Sequence, residues 1–230
     1  NGRYPPKNTV HEIKVDGVPV AIVLKREQKY DWQGFEAMKA KDVNKAKELY
    51  AKALAVEPTN ETAALGLAEI YLTEARTDSL RADRLPKAAK LLDTFIAANP
   101  NHETANYMKA HYYLMNNETD KALALCEKVI FDNYKYEGAY MLAAQAKLQT
   151  GDLNGAEDYL TRLLNTGRLS DNLVKTLLQI FKFQGLDDAN AYVKLYSLLE
   201  QYYLKIGEKK AAAEYTQAIE NVMRQQYGRQ

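Results

Sequence analysis

The sequence predicts an all-α chain of repeated antiparallel helix pairs, with a short β-hairpin at the N-terminus. The helix pairs are predicted by two series of small residues that recur at a nearly constant spacing. The first series is Gly34, Ala68, Ala110 and Ala144, separated by 34, 42 and 34 residues. The second series is Ala46, Ala88, Ala122 and Ala156, separated by 42, 34 and 34 residues. Periods of this length are typical of repeat proteins, in which each repeat is one supersecondary unit.

The two series stay in register, twelve residues apart, except for eight extra residues between Ala68 and Ala88. One insertion explains both irregular spacings, and the polar segment 77–84 is its predicted place. We therefore expect four repeat units over residues 27–168, with the insertion in the second unit. Small residues at these positions let the two helices of a unit cross at close range.

The first unit carries Gly34, Ala46, Tyr50 and Ala53 and is closed by Pro58. This arrangement resembles the tetratricopeptide repeat, a helix-turn-helix of 34 residues. That family places small residues at the eighth and twentieth places and a large residue at the twenty-fourth. The twenty-fourth place is held here by Tyr50, Leu92, Cys126 and Leu160. The resemblance implies a right-handed superhelical solenoid of antiparallel helix pairs.

The sequence departs from the family pattern at several places. The eleventh place, which is usually large, holds Ala37 in the first unit and Lys147 in the fourth, and the closing proline is lost after Pro100. Beyond Gly167 the repeat decays. We expect helices over 169–183, 187–206 and 208–226, separated at Gly185 and Gly207, and we expect residues 169–230 to be divergent helices that cap the solenoid.

Three residues are expected to cap the helices that follow them, Asn60, Asn101 and Asp152. The helix over 169–183 is expected to carry an apolar stripe that consists of Leu173, Leu177, Leu178 and Phe181.

Residues 1–26 form a separate segment in this interpretation. The apolar alternation of residues 10–15 is followed by Asp16-Gly17 and by a second apolar run over 18–24. Asp-Gly between two such runs is a strong signal for a β-hairpin. Because the sequence begins at Asn1 without a methionine, we expect a processed product or a piece of a longer protein. The hairpin then packs on the first helical unit or pairs with strands upstream.

Composition excludes several functional classes. Lysine and arginine total 31 against 30 acidic residues, a balance that argues against a nucleic-acid partner. The longest apolar run has seven residues, whereas a membrane-spanning helix needs about 20. One cysteine and three scattered histidines give no zinc motif, and no nucleophile elbow or phosphate-binding loop is present. We expect no cofactor, no metal, no transmembrane segment and no catalysis by this chain alone.

The tetratricopeptide resemblance implies a concave groove built from fixed places of each first helix. These places carry mostly aromatic, methionine or polar side chains, and the candidate partner-binding residues are Asp31, Phe35, Met38, Glu69, Tyr107, His111, Met115, Met141 and Gln145. Some family members hold a carboxylate with a lysine and an asparagine at the places where Asp31 and Phe35 stand here. A carboxylate clamp is therefore not expected, because an anion replaces the attractive cation.

We interpret the chain as a non-catalytic scaffold that binds a peptide or a partner protein in this groove. Two alternatives to binding stay open at this point. The groove side chains can instead pack against neighbouring helices. The tyrosine clusters at 134–140 and 192–203 can either form a second surface, for sugars or apolar side chains, or interlock the helices.

A weaker resemblance leads to another function. Residues 5–11, 15–19 and 24–26 resemble segments of bacterial membrane glycosyltransferases that end in such repeats. That resemblance implies the soluble C-terminal region of a larger membrane-bound enzyme, tethered to an upstream membrane domain and positioning a partner or acceptor. The sequence leaves open the compartment, cytoplasmic or periplasmic, and the oligomeric state.

Overall fold

The structure is a computed structural model that describes the backbone of residues 8–15, 18–25 and 29–227 and the side chains of residues 29–226. Within these ranges the chain forms two strands and eleven helices. They are β1 (Asn8–Val15), β2 (Val18–Lys25), α1 (Tyr30–Lys39), α2 (Val43–Val56), α3 (Glu61–Glu74), α4 (Asp78–Ala98), α5 (Glu103–Met115), α6 (Thr119–Asp132), α7 (Glu137–Gln149), α8 (Leu153–Asn165), α9 (Asp171–Phe183), α10 (Asp188–Lys205) and α11 (Lys209–Tyr227).

The fold-class prediction needs correction at the N-terminus, where the two strands are longer than the short hairpin that was expected. Strand β1 pairs with β2 in an antiparallel register that runs from Asn8 opposite Lys25 to Val15 opposite Val18. Each strand has eight residues, more than the short segments inferred from the apolar alternation. The ladder is longer because backbone pairing depends on main-chain groups and continues past the last apolar side chain. The predicted Asp16-Gly17 turn lies outside the described residues.

The chain divides into two compact units, residues 1–116 and 117–230. In unit 1, α1 packs on α2 and α3 packs on α4, and these pairs are joined through contacts of α2 with α3 and of α4 with α5. In unit 2, α7 packs on α8 and α10 packs on α11, while α9 contacts both α8 and α10. Within each unit, helices that are consecutive in sequence pack on one another.

The small residues of both series are buried. The four alanines of the second series are fully buried, as are Ala68 and Ala110 of the first. The residues at the twenty-fourth place, from Tyr50 to Leu160, are buried as well. Burial at these positions fits the predicted register, and the division of residues 27–168 into four repeat units stays a prediction.

In unit 1 the ring of Tyr50 of α2 lies between α1 and α3. A Cβ atom on Gly34 would lie 2.6 Å from Cδ1 of this ring, and a Cβ on Gly66 would lie 2.6 Å from Cε2. The side chain of Tyr50 is only 2% exposed. The ring fits between the two helices because neither facing residue has a side chain.

The eight-residue insertion lengthens a helix. Helix α4 has 21 residues, whereas α2, the equivalent helix of the preceding repeat, has 14. Polar contacts hold the added turns against the end of α3. Arg81 donates from Nε to the carbonyl oxygen of Ala75 at 3.2 Å, and the guanidinium of Arg84 pairs with Glu74 and lies 5.6 Å from the ring centroid of Tyr71.

Side-chain caps begin several helices. Asn60 accepts from the N–H of Ala63 at 3.0 Å, as predicted for α3. The expected Asn101 cap of α5 is wrong, because His102 caps that helix. Its Nδ1 accepts from the N–H of Ala105 at 3.2 Å, and its ring packs edge-on against Phe95. The imidazole thus accepts a hydrogen bond from a backbone N–H in the first turn of the helix, and its ring packs at the edge of the core.

The C-terminal helices agree with the predicted ranges to within about two residues. Gly185 and Gly207 follow α9 and α10 with φ values of 90° and 86°, the left-handed conformation that glycine adopts at helix ends. On α9 the predicted apolar stripe is buried at Leu173, Leu177 and Phe181. That residues 169–230 act as a cap remains a prediction.

Ala122→Leu tests the repeat register. Ala122 of α6 is fully buried, so the larger side chain must displace its neighbours, and we expect a loss of about 1–3 kcal/mol in the free energy of unfolding. Urea denaturation followed by circular dichroism measures the loss. Ala124→Leu is the matched control, because Ala124 is exposed on the same helix and its replacement should change stability little. Equal effects of the two substitutions would contradict the register.

Gly66→Ala tests the fit of Tyr50. Alanine normally stabilises a helix by up to about 1 kcal/mol relative to glycine. Here its Cβ would overlap the buried ring, so we expect the protein to lose about 1–3 kcal/mol of stability instead. In a Tyr50→Leu background the same substitution should become neutral or stabilising, because the overlapping ring atoms are gone. A destabilisation that persists in that background would show that the ring is not the cause.

Candidate functional site

Seven of the nine predicted binding residues lie on the first helices of unit 1. On α1, Asp31, Phe35 and Met38 follow the i, i+4, i+7 spacing of one helix face. Helix α3, which carries Glu69, contacts both α1 and α5. We call the predicted set the inner face of unit 1, and its members are Asp31, Phe35, Met38, Glu69, Tyr107, His111 and Met115.

Three of these side chains pack against the core of unit 1. Tyr107 and Met115 of α5 pack against the buried cluster that contains Leu65 and Leu72 of α3, and Met38 packs against the cluster around Tyr50. The side chains of Phe35, Met38, Tyr107, His111 and Met115 are half-buried, so each keeps part of its surface at the protein exterior. The buried part of each side chain therefore packs against the helices, and the exposed part is accessible to a partner.

The remaining two predicted residues, Met141 and Gln145, belong to α7 of unit 2. Met141 is half-buried and Gln145 is exposed. Their spacing places them on one face of α7. The structure thus divides the predicted site into a larger set in unit 1 and a smaller set in unit 2, each belonging to its own unit.

Tyr50 of α2 is buried within electrostatic reach of two acids. Asp31 is 4% exposed and accepts from Nδ2 of Asn60 at 3.3 Å, whereas Glu69 is exposed. Burial, together with the nearby charges of Glu69 and Asp31, raises the pKa of Tyr50 to about 12. The phenol therefore stays protonated and lies within electrostatic reach of both acids.

At the α5 side of the inner face, His111 lies near Arg76, which follows the end of α3. Burial and the positive charge of Arg76 lower the pKa of His111 below its ordinary value. The imidazole is consequently neutral at pH 7 and can both donate and accept a hydrogen bond. Among residues 29–226 no acidic side chain pairs with it, so the role that suits it is a polar contact.

Aromatic and cationic side chains surround the predicted residues in ways that sequence spacing did not indicate. Trp32 lies 5.5 Å from Phe35 between ring centroids, and Nζ of Lys39 lies 5.7 Å from the Phe35 ring. On α5, Lys109 is buried, pairs with Asp93 at 2.8 Å and lies 4.4 Å from the Tyr112 ring. The single tryptophan of the chain stands three residues before Phe35 in the sequence, and this spacing could have predicted the contact between the two rings.

The reactive residue types do not assemble a catalytic site in the part of the chain that the structure describes. Cys126 is buried at its repeat position, and burial, aided by the charge of Glu127, raises the pKa of its thiol to about 12. A protonated, enclosed thiol is a poor nucleophile. Residues 29–226 also contain no cluster of three or more His, Cys, Asp or Glu side chains that could hold a metal ion.

The tyrosines of α10 contribute to packing within unit 2. Tyr203 stacks on Tyr215 of α11 at 5.5 Å, and Tyr196 lies 5.7 Å from the same ring. These contacts favour the interlocking interpretation for this cluster. In the other cluster, Tyr140 is buried, donates to the carbonyl oxygen of Tyr134 at 3.1 Å and lies beside Arg162, which pairs with Glu127.

None of the helices described here combines the length and the apolar character that a membrane crossing requires.

Two family models match the sequence. Residues 37–79 match the model described as tetratricopeptide repeat, and residues 82–163 match the model described as anaphase-promoting complex, cyclosome, subunit 3. Neither match reaches residues 5–26, which carry the glycosyltransferase resemblance, and that resemblance remains unconfirmed. A comparison with curated proteins gives no significant match.

Solved structures support the fold. The human IFIT1 dimer with PPP-AAAA is 18% identical with a TM-score of 0.63, covering 86% of this chain and 47% of that one. A tetratricopeptide repeat protein from Parabacteroides merdae is 17% identical with a TM-score of 0.56, covering 84% and 80%. A thermophilic TPR protein from Thermus thermophilus is 17% identical with a TM-score of 0.55, covering 83% and 98%. These likenesses show a tetratricopeptide-type fold, and the family resemblance is supported by the match of residues 37–79 to the tetratricopeptide repeat model.

Proposed function

We propose that the chain is a protein-interaction scaffold that binds a peptide segment or a partner protein on the inner face of unit 1. The observation that carries this proposal is the row of half-buried aromatic and methionine side chains across α1 and α5. Such side chains are enriched in the cores of protein interfaces. Aromatic rings provide apolar contact area with few rotatable bonds, and methionine side chains adapt their conformation to the surface they contact.

Partial burial of these side chains also favours binding. Met38, Tyr107 and Met115 pack against the buried clusters behind them, so their conformations are restricted before a partner arrives. Restricting a contact side chain in advance reduces the entropy that association must remove. Neutral His111 and exposed Glu69 then provide polar contacts between the apolar anchors. This combination fits an extended or helical segment that carries several apolar side chains.

Met141 and Gln145 of unit 2 are a smaller candidate contact set under the same proposal. They have the same chemical character, one methionine and one uncharged polar residue, at the corresponding places of α7. The proposal for unit 1 does not depend on them, and each set is open to separate substitution. In this function the chain acts by binding, without a chemical step.

A peptide-selection experiment tests the proposed function. Random twelve-residue peptides displayed on phage are selected on the folded chain, and the peptides recovered are synthesised and their Kd values measured by fluorescence anisotropy. We expect Phe35→Ala, and separately Tyr107→Ala with His111→Ala, to weaken binding about tenfold, because truncating a central aromatic contact typically costs more than 1 kcal/mol.

Val56→Ala is the matched control for this experiment. Val56 is 67% exposed at the end of α2, outside the inner face, and its truncation should leave the Kd unchanged. Circular dichroism verifies that each variant keeps the helical signal. Peptides that bind the inner-face variants as tightly as the original chain would contradict the proposal, and so would the absence of any selected peptide.

A further inference from the structure

Unit 2 exposes two large apolar side chains where α10 turns into α11. Residues 204–210 are all exposed, and Leu204 and Ile206 among them keep 54% and 45% of their surface accessible. Gly207 follows α10 with a φ of 86°, and a Cβ added to it would meet no atom within 4 Å. The turn is therefore open at this point, and contiguous exposed apolar side chains of this kind mark sites that contact a partner or a membrane.

Lysines flank the two apolar side chains. Lys205 stands between them in sequence, and Lys209 and Lys210 begin α11, whereas Glu208 is the one acid in residues 204–210. Positive side chains in the first turn of a helix oppose the helix dipole, and neighbouring like charges repel one another. The electrostatics of the turn therefore favour an anion that contacts it.

Hydrogen bonds bring a fourth cation to this surface from the loop after α8. Nζ of Lys205 donates to the carbonyl oxygen of Asn165 at 2.8 Å, and the hydroxyl of Tyr202 donates to the carbonyl oxygen of Gly167 at 3.3 Å. Arg168 follows directly in the chain and is exposed. We call the combined surface the basic turn, and its members are Arg168, Leu204, Lys205, Ile206, Lys209 and Lys210.

The four cations of the basic turn have no carboxylate partner in the part of the chain that the structure describes. Elsewhere in unit 2, Lys182 pairs with Asp188 at 2.7 Å. The next acids along the chain are Asp171 and Glu214, and both are exposed without an ion pair to these cations. The positive charge of the basic turn is therefore available to an anion outside the chain.

We propose that the basic turn binds the surface of an anionic lipid bilayer. Negative headgroups attract lysine and arginine side chains near the surface, and aliphatic side chains enter the boundary between headgroups and acyl chains. The four cations provide the first interaction, and Leu204 and Ile206 provide the second. The surface belongs to unit 2 and includes no residue of the inner face of unit 1, so this inference goes beyond the proposed function.

Three features favour a lipid surface over an acidic protein. The apolar members are aliphatic, whereas the cores of protein interfaces are enriched in aromatic, methionine and arginine side chains. Three of the four cations are lysines, which act as point charges, whereas bidentate recognition of carboxylates uses arginine. A short turn between two packed helices is also convex, and a fluid bilayer can deform around it.

Vesicle sedimentation tests the proposal. The folded chain is mixed with vesicles of phosphatidylcholine alone, and with vesicles of phosphatidylcholine and phosphatidylserine in a molar ratio of about 7:3. We expect binding to the second composition only, and weaker binding as NaCl is raised. Lys209→Gln with Lys210→Gln should weaken binding about tenfold. Lys45→Gln with Lys90→Gln is the matched control, because it removes the same charge from exposed positions of α2 and α4 and should change binding little.

A fluorescent label tests whether the apolar side chains enter the bilayer. Cys126 is the single cysteine and is buried, so a cysteine introduced at an exposed position can be labelled selectively with an environment-sensitive dye. On the anionic vesicles, dye attached to Ile206→Cys should shift its emission to shorter wavelength, and dye on Val56→Cys, at an exposed position of α2, should not. Ile206→Ser should weaken vesicle binding about threefold with an unchanged Tm, because the side chain is exposed.

The outcomes separate a bilayer from other anions and from the proposed function. Absence of binding to the anionic vesicles, equal binding to both compositions, or equal effects of the two double lysine variants would overturn the proposal. Full competition by soluble polyglutamate without a dye shift at Ile206→Cys would indicate an acidic protein and would overturn it as well. Phe35→Ala should leave vesicle binding unchanged, and Lys209→Gln with Lys210→Gln should leave the peptide Kd unchanged, so each proposal can fail without the other.

Discussion

Close approach of paired helices at buried small residues is the constraint on which the rest of this structure depends. The small residues of both series and the large residues at the twenty-fourth place are buried together in the described chain. In the first unit two glycines admit the ring of Tyr50. At these positions the side-chain volumes match the space between the helices. Adding or removing one methyl group there therefore changes the free energy of unfolding.

The same packing determines which groups face outward. Met38, Tyr107 and Met115 pack against the buried clusters of unit 1 and keep part of their side chains exposed. The ring of Tyr50 belongs to the same core and lies against Gly34 and Gly66. A change in these glycines would therefore disturb the packing behind the surface that we propose binds a partner.

Much of the fold could be predicted from the sequence because each place of the repeat occurs several times in the chain, so that one unit supports the interpretation of the next. The two alanine series, the helix ranges after Gly167 and the caps at Asn60 and Asp152 agree with the structure. The predictions failed where a local sequence pattern is compatible with more than one structure. The helix-period pattern did not show that residues 78–84 continue α4, and Asn101 is as good a cap by residue type as His102, which also packs on Phe95.

The sequence by itself predicted the tetratricopeptide resemblance, the helix-pair register and the residue types of the inner face, because these depend on periodicity along one chain. Only the tertiary structure decided that the ring of Tyr50 lies against Gly34 and Gly66 and that Glu74 pairs with both Lys47 and Arg84. Those facts depend on distances between helices, about which spacing along the sequence carries no information.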